Sequence, residues 1–151
     1  MNIYVASSWR NPWQPHVVEL LRNRGHEVYD FRNPEPDNFG FHWTHIDPEW
    51  QEWQPDAYRE ALKHPIAEEG FLLDMNALSR CDACLLVQPC GTSSHLELGW
   101  AAGAGKRTAI LFPVGIGNGP KLRQVEPELM AKMAETILIG SEELLAWCGS
   151  A

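Results

Sequence analysis

The sequence predicts an α/β domain: one doubly wound sheet, flavodoxin-like or Rossmann-like, of about five mostly parallel strands flanked by helices. Two patterns and a length carry this expectation. Short apolar runs at 3–6, 27–30, 83–87, 108–112 and 136–139 are mostly continuous rather than alternating, as in strands buried on both faces. Helix-like segments lie between them, and such alternation builds parallel sheets through crossover connections. At 151 residues the chain matches a single domain, spanning 1–151.

Each element has local grounds. Ile3-Tyr4-Val5-Ala6 opens the first strand. In 16–23, Val17, Val18, Leu20 and Leu21 supply an apolar face, and Gly25 stops the helix. A helix at 65–78 sets Ala67, Phe71, Asp74 and Leu78 three or four apart, on one face. Ala83-Cys84-Leu85-Leu86-Val87 is a wholly apolar strand. Helices at 94–103 and 127–134 flank the strand at 108–112, and 141–148 forms the last helix with Ser141 as N-cap. The stretch at about 31–56 fits neither pattern, with Pro34, Pro36, Pro48 and Pro55 among Trp43, Trp50, Trp53, His42 and His45. Loops this long are usually functional. It is expected to be an insertion or lid whose aromatic faces, Trp43 among them, stack on a planar ligand; the alternative is a loop stapled to itself by tryptophans.

Composition excludes several classes. The net charge of −8 argues against a duplex nucleic acid partner. No run approaches the ~20 apolar residues of a membrane span. The opening residues show neither a basic region nor a signal core, so a soluble cytoplasmic protein is expected. Cys81, Cys84, Cys90 and Cys148 read as buried, inert thiols. Cys81-x-x-Cys84 lies where a helix ends, whereas a redox pair needs its first thiol at a helix start. A zinc site from Cys81, Cys84, Cys90 and His95 is the alternative.

The densest chemical signal is Pro89-Cys90-Gly91-Thr92-Ser93-Ser94-His95-Leu96-Glu97-Leu98-Gly99-Trp100. It follows a buried strand and opens a helix, so the backbone N–H groups around Gly91, with the hydroxyls of Thr92, Ser93 and Ser94, face the ligand end of the sheet. They suit a phosphate or the oxygens of a sugar. Glu97 has two readings: the N3 partner of a capping box begun by Ser94, or a carboxylate at the mouth of the sheet. Asp74, an acid inside an apolar stripe, must find partners, neutralise or serve chemistry. Tyr4 lies on the first strand, and Ser7, Ser8 and Arg10 follow in a strand-to-helix turn, where Arg10 is placed to pair a phosphate. Gly115-Ile116-Gly117-Asn118-Gly119 precedes no helix and reads as a connection.

Ile3-Tyr4-Val5-Ala6, Asp74 on a mid-chain helix, and Glu97-Leu98-Gly99-Trp100-Ala101-Ala102-Gly103-Ala104-Gly105-Lys106 together resemble the nucleoside 2-deoxyribosyltransferase family, which includes the related 2′-deoxynucleoside 5′-phosphate N-hydrolases. The resemblance spans most of the chain apart from the Trp-rich stretch. It implies an enzyme that cleaves the N-glycosidic bond of a nucleoside or nucleoside 5′-monophosphate, passing the sugar to another base or to water. It implies Glu97 as nucleophile, Asp74 as the acid acting at the base, and Tyr4 as the phenol that orients Glu97. Glu128 and Met130 match positions that the family lends to a neighbouring active site, implying a homodimer or higher homo-oligomer. Ser93, with Ser7 and Ser8, matches serines that hold a 5′-phosphate. The transferases carry an aspartate where this chain has Gln88-Pro89-Cys90-Gly91, which argues against base exchange between free deoxynucleosides, and the serine-lined loop leans towards nucleotides.

That chemistry calls for no metal or organic cofactor, only two carboxyls in different environments. Two alternatives stand beside it. The run from Pro89 to Glu97 faintly resembles the motif of cytokinin-activating phosphoribohydrolases. The other is a nucleotide-sensing or interaction module in which Glu97 only caps its helix.

Overall fold

The computed structural model describes residues 1–122 and 125–149. Five strands, β1 (Asn2–Ala6), β2 (Glu27–Asp30), β3 (Ala83–Val87), β4 (Arg107–Phe112) and β5 (Thr136–Ile139), form one sheet in the order β2-β1-β3-β4-β5. Every neighbouring pair is parallel. Strand order reverses between β1 and β3, so their carboxyl ends flank the crevice where open α/β sheets take ligands. The helices are α1 (Gln14–Asn23), α2 (Pro55–Ala61), α3 (Pro65–Arg80), α4 (Thr92–Gly103) and α5 (Gly140–Gly149).

Side chains alternate across the sheet and divide the core in two. Ile3, Val5, Ala83, Leu85, Val87, Ala109 and Leu111 face α1 and α5, packing on Val17, Val18, Leu21, Leu144 and Trp147. Tyr4, Ala6, Cys84, Leu86 and Ile110 face α3 and α4, packing on Ala77, Leu78, Leu98 and Ala101. Burial on both faces is why β1, β3 and β4 read as continuous apolar runs. α1 ends at Gly25, whose φ of 81° lets its N–H reach the Arg22 carbonyl while His26 N–H reaches Leu21.

Three expectations need correction. Residues 127–134 do not form an α-helix; Leu129–Met133 make a single 3₁₀ turn. Its period of three puts Ala131 and Ala134 together against the sheet, and the chain then runs straight into β5. Phe71 shares the stripe of Asp74 in sequence but is 61% exposed. Third, α2 lies partly within the stretch read as irregular, signalled by Pro55 at N1 and Asp56 in its first turn.

The rest of the Trp-rich stretch is irregular but organised. Two 3₁₀ turns, Trp43–His45 and Trp50–Glu52, carry edge-to-face contacts of Trp43 with Phe41, Trp53 and Tyr58, and of His42 with Trp50. Asp47 accepts the Trp53 indole N–H at 2.7 Å. Arg32 fastens the start of this stretch to the β1–α1 loop, donating to the Ser8, Trp9 and Asn11 carbonyls and lying over the Trp9 ring. At Gly40 the chain passes so close to its neighbours that a Cβ would sit 2.3 Å from the Phe31 carbonyl oxygen and 2.9 Å from the Trp9 ring, and its φ is +82°.

Gly40→Ala therefore destabilises the fold by about 2 kcal/mol or more, from strain and overpacking together. Urea denaturation measures this, and an unchanged midpoint would show that the segment is not held as described.

Candidate active site

Two tyrosines and two carboxyls meet on the α3–α4 face of the sheet. Register places Tyr4 of β1 directly beside Tyr29 of β2. Their rings stack with centroids 5.1 Å apart and planes 18° from parallel. The Tyr29 hydroxyl donates to Asp74 Oδ1 at 2.7 Å. Tyr4 faces Glu97, which enters from α4 and acts on the phenol electrostatically. α3 supplies Asp74 because its apolar stripe (Ala67, Ala77 and Leu78 buried) turns that position toward the sheet.

Glu97 reaches this site because it caps nothing. α4 begins at Thr92 with Gly91 as N-cap and no side-chain cap, so Ser94 is already its third residue. Instead of opening a capping box, the Ser94 hydroxyl donates to the Ser7 carbonyl at 2.8 Å. Ser7 Oγ donates to the Val87 carbonyl, and Asn11 Nδ2 to those of Val87 and Pro89. These bonds tie the β1–α1 loop to the β3–α4 loop across the reversal point. Glu97 lies a full turn past the helix start and points to Tyr4.

Electrostatics follow from burial and like charge. Glu97 is pushed up to about 8, first by burial and then by the nearby Asp74 charge, with the Tyr4 hydroxyl pulling it back. Burial raises Asp74 also, and the Tyr29 hydrogen bond opposes this. Both phenols are driven far above their ordinary range, by burial first and then by the two carboxyls, so they stay protonated donors. Glu97 therefore keeps a proton well above the ordinary carboxylate range, and its titration is linked to the Asp74 charge.

Tyr4, Asp74 and Glu97, singled out in the sequence, are thus brought together. Gly91, Ser93 and Ser94 lie at the start of α4 beside Ser7, with Ser93 exposed and Ser94 and Ser7 engaged with backbone carbonyls. Ser8 Oγ accepts the Arg10 backbone N–H, and the Arg10 side chain is exposed. Trp43 sits within its own aromatic cluster, linked to the site through Phe41, which packs on Gly70, one turn before Asp74. Glu128 and Met130 are exposed beside edge strand β5, away from the tyrosine pair. Gly117 and Gly119 of the glycine-rich connection lie against His16 and Trp13.

Sequence reasoning missed Tyr29 and Asn11. The signal for Tyr29 was its place in 27–30 at the same parity as Tyr4 once β1 and β2 pair. The four cysteines are free; burial raises Cys90 and Cys148 to about 11 and Cys81 and Cys84 upward too. Among the described residues no group of three or more His, Cys, Asp or Glu side chains is arranged to hold a metal ion. No helix among them is long and apolar enough to cross a membrane.

Neither the protein-family models nor the curated proteins compared contain a match to this chain. Among solved structures, the chain is similar to a 2-deoxyribosyltransferase from the psychrotolerant bacterium Bacillus psychrosaccharolyticus. Identity is 19%, with 89% of this chain and 83% of that chain covered and a TM-score of 0.53. A second similarity, to the CMP N-glycosidase BcmB of Clostridium botulinum, has 16% identity, covers 97% and 95% of the two chains and has a TM-score of 0.48. The first shows a shared fold.

Glu97 ties stability to pH with a definite sign. It titrates near 8 in the folded chain against an ordinary 4.5. Its contribution is therefore fully present below the ordinary carboxylate range and lost as pH rises through about 8. Glu97→Gln removes that loss. Thermal melts are expected to show the variant gaining on the wild type from pH 5 to about 8 and levelling off above it, and parallel curves would contradict the burial of this carboxyl.

Proposed function

We propose that this protein cleaves the N-glycosidic bond of a nucleoside 5′-monophosphate, with Glu97 as nucleophile, Asp74 as acid at the departing base and Tyr4 orienting Glu97. The observation that carries the reading is the convergence of two coupled carboxyls, each facing its own phenol, beside the strand-order reversal. The shared fold with a 2-deoxyribosyltransferase supports it.

Breaking a sugar–base bond builds positive charge on the sugar ring. A carboxylate under the ring stabilises that charge and takes the anomeric carbon as an ester, while the base departs with a proton. Pushed up to about 8, Glu97 carries a proton at neutral pH in the free protein, and the Asp74 carboxylate is its acceptor in the proposed reaction. With substrate in place that proton passes to Asp74 and on to the base, and the Glu97 carboxylate attacks. Water then hydrolyses the ester, or a second base accepts the sugar. The free N–H groups and exposed hydroxyls of Thr92 and Ser93 at the start of α4 receive the 5′-phosphate, with Arg10 close by in sequence to the Ser7–Ser8 turn. The Trp-rich segment, seated on α3 at Gly70, borders the base and limits which bases enter. Glu128 and Met130 complete a neighbouring subunit's site in a homo-oligomer.

The test is release of free base from a panel of nucleoside and deoxynucleoside monophosphates, with and without an added acceptor base. Glu97→Gln is expected to lose about a thousandfold or more in kcat and Asp74→Asn about a hundredfold, both with near-normal folding. kcat/KM falls about tenfold per pH unit above about 8, where Glu97 loses its proton. Ligand-induced stabilisation with no free base from any substrate would make the protein a nucleotide-binding module instead.

A further inference from the structure

We infer that Tyr29 is a positioning residue of this site: its hydroxyl, donated to Asp74 and locked by the ring stack on Tyr4, fixes that carboxyl and governs which of the two acids carries their common proton. The inference rests on the roles proposed for Asp74 and Glu97.

Geometry makes the case. The 2.7 Å contact is that of a charge-assisted bond to a carboxylate, and such bonds favour the ionised acceptor. Tyr29 cannot easily swing away. Its backbone is paired to β1, and its ring lies nearly parallel on Tyr4. Tyr4, stacked on Tyr29, lies beside Glu97, so two stacked phenols stand against two acids. The groups acting on this cluster are acids, phenols and thiols: Tyr4 from β1, Tyr29 from β2, Glu35 from the segment after it, Cys84 from β3, Cys90 before α4, and Glu97 from α4. Burial raises Asp74 and the Tyr29 donor opposes it, while Glu97 bears the Asp74 charge as well as its own burial, so the Tyr29 bond favours Asp74 ionising first and the proton staying on Glu97 in the free protein. Transfer from the Glu97 carboxyl to the Asp74 carboxylate then creates a nucleophile and an acid in one step, with no change in total charge.

Carboxyl ¹³C NMR titration of the wild type and Tyr29→Phe is the test, paired with the pH profile of base release. The variant keeps the ring and its stack. Its Asp74 midpoint is expected to rise by about one pH unit. The acid limb of kcat/KM moves up with it, and kcat falls roughly tenfold with KM near the wild-type value. In an Asp74→Asn background, Tyr29→Phe leaves the Glu97 titration where it was. An unmoved Asp74 midpoint, or an equal Glu97 shift in both backgrounds, overturns the inference. Should Tyr29→Phe melt early, Asp74→Asn reads the contact from the other side, lowering the Tyr29 phenol titration in the ultraviolet; no movement overturns it. A moved Asp74 midpoint in a protein that releases no base would remove the proposed reaction and support Tyr29's hold on the proton.

Discussion

The repulsion between Glu97 and Asp74, confined on one face of the sheet and held in check by Tyr4 and Tyr29, is the constraint around which this structure is arranged. Half out of water the two carboxyls compete for a proton, and Glu97 is forced far from its ordinary titration. The chain keeps them together because each arrives on an independently anchored element. Asp74 rides on a helix whose buried stripe fixes its phase. Glu97 rides on one whose start is bound to the β1–α1 loop through Ser94 and Ser7.

The surrounding framework serves that placement. Parallel pairing of β1 with both β2 and β3 puts Tyr4 at the centre, beside Tyr29 on one side and Cys84 on the other. Asn11, itself buried, bonds to the end of β3 and to the start of α1, so the two loops that frame the crevice move as one. Arg32 extends this bracing to the start of the Trp-rich segment, which it ties to the β1–α1 loop.

Much of this was legible in the sequence, for physical reasons that differ by element. Strands β1, β3 and β4 could be read because burial on both faces leaves an apolar run that a helix of comparable length rarely shows, and the edge strands β2 and β5 by their short runs of β-branched or aromatic residues. Tyr4, Asp74 and Glu97 stood out as polar groups in apolar or ligand-end positions. The helix expected at 127–134 failed because its spacing of alanines suits a 3₁₀ turn equally well, and the tight entry to β5 decided between them. The capping-box reading failed for a related reason: Thr92 and Ser93 start α4 earlier than any side-chain signal marks, and tertiary bonding took Ser94 for another use. Tyr29 was invisible because its role exists only once β1 and β2 pair in register. The Trp-rich segment is legible as unusual, while its interior depends on ring contacts between residues up to fifteen apart, which no local pattern encodes.

The central claim is that Glu97 takes the sugar as a covalent ester. Acid quenching of the protein during turnover of a nucleoside monophosphate, followed by intact and peptide mass spectrometry, tests it most directly. The account predicts a pentose-phosphate adduct on the peptide bearing Glu97, absent from Glu97→Gln. Base released at full rate by Glu97→Gln, or an adduct on a different residue, would contradict it.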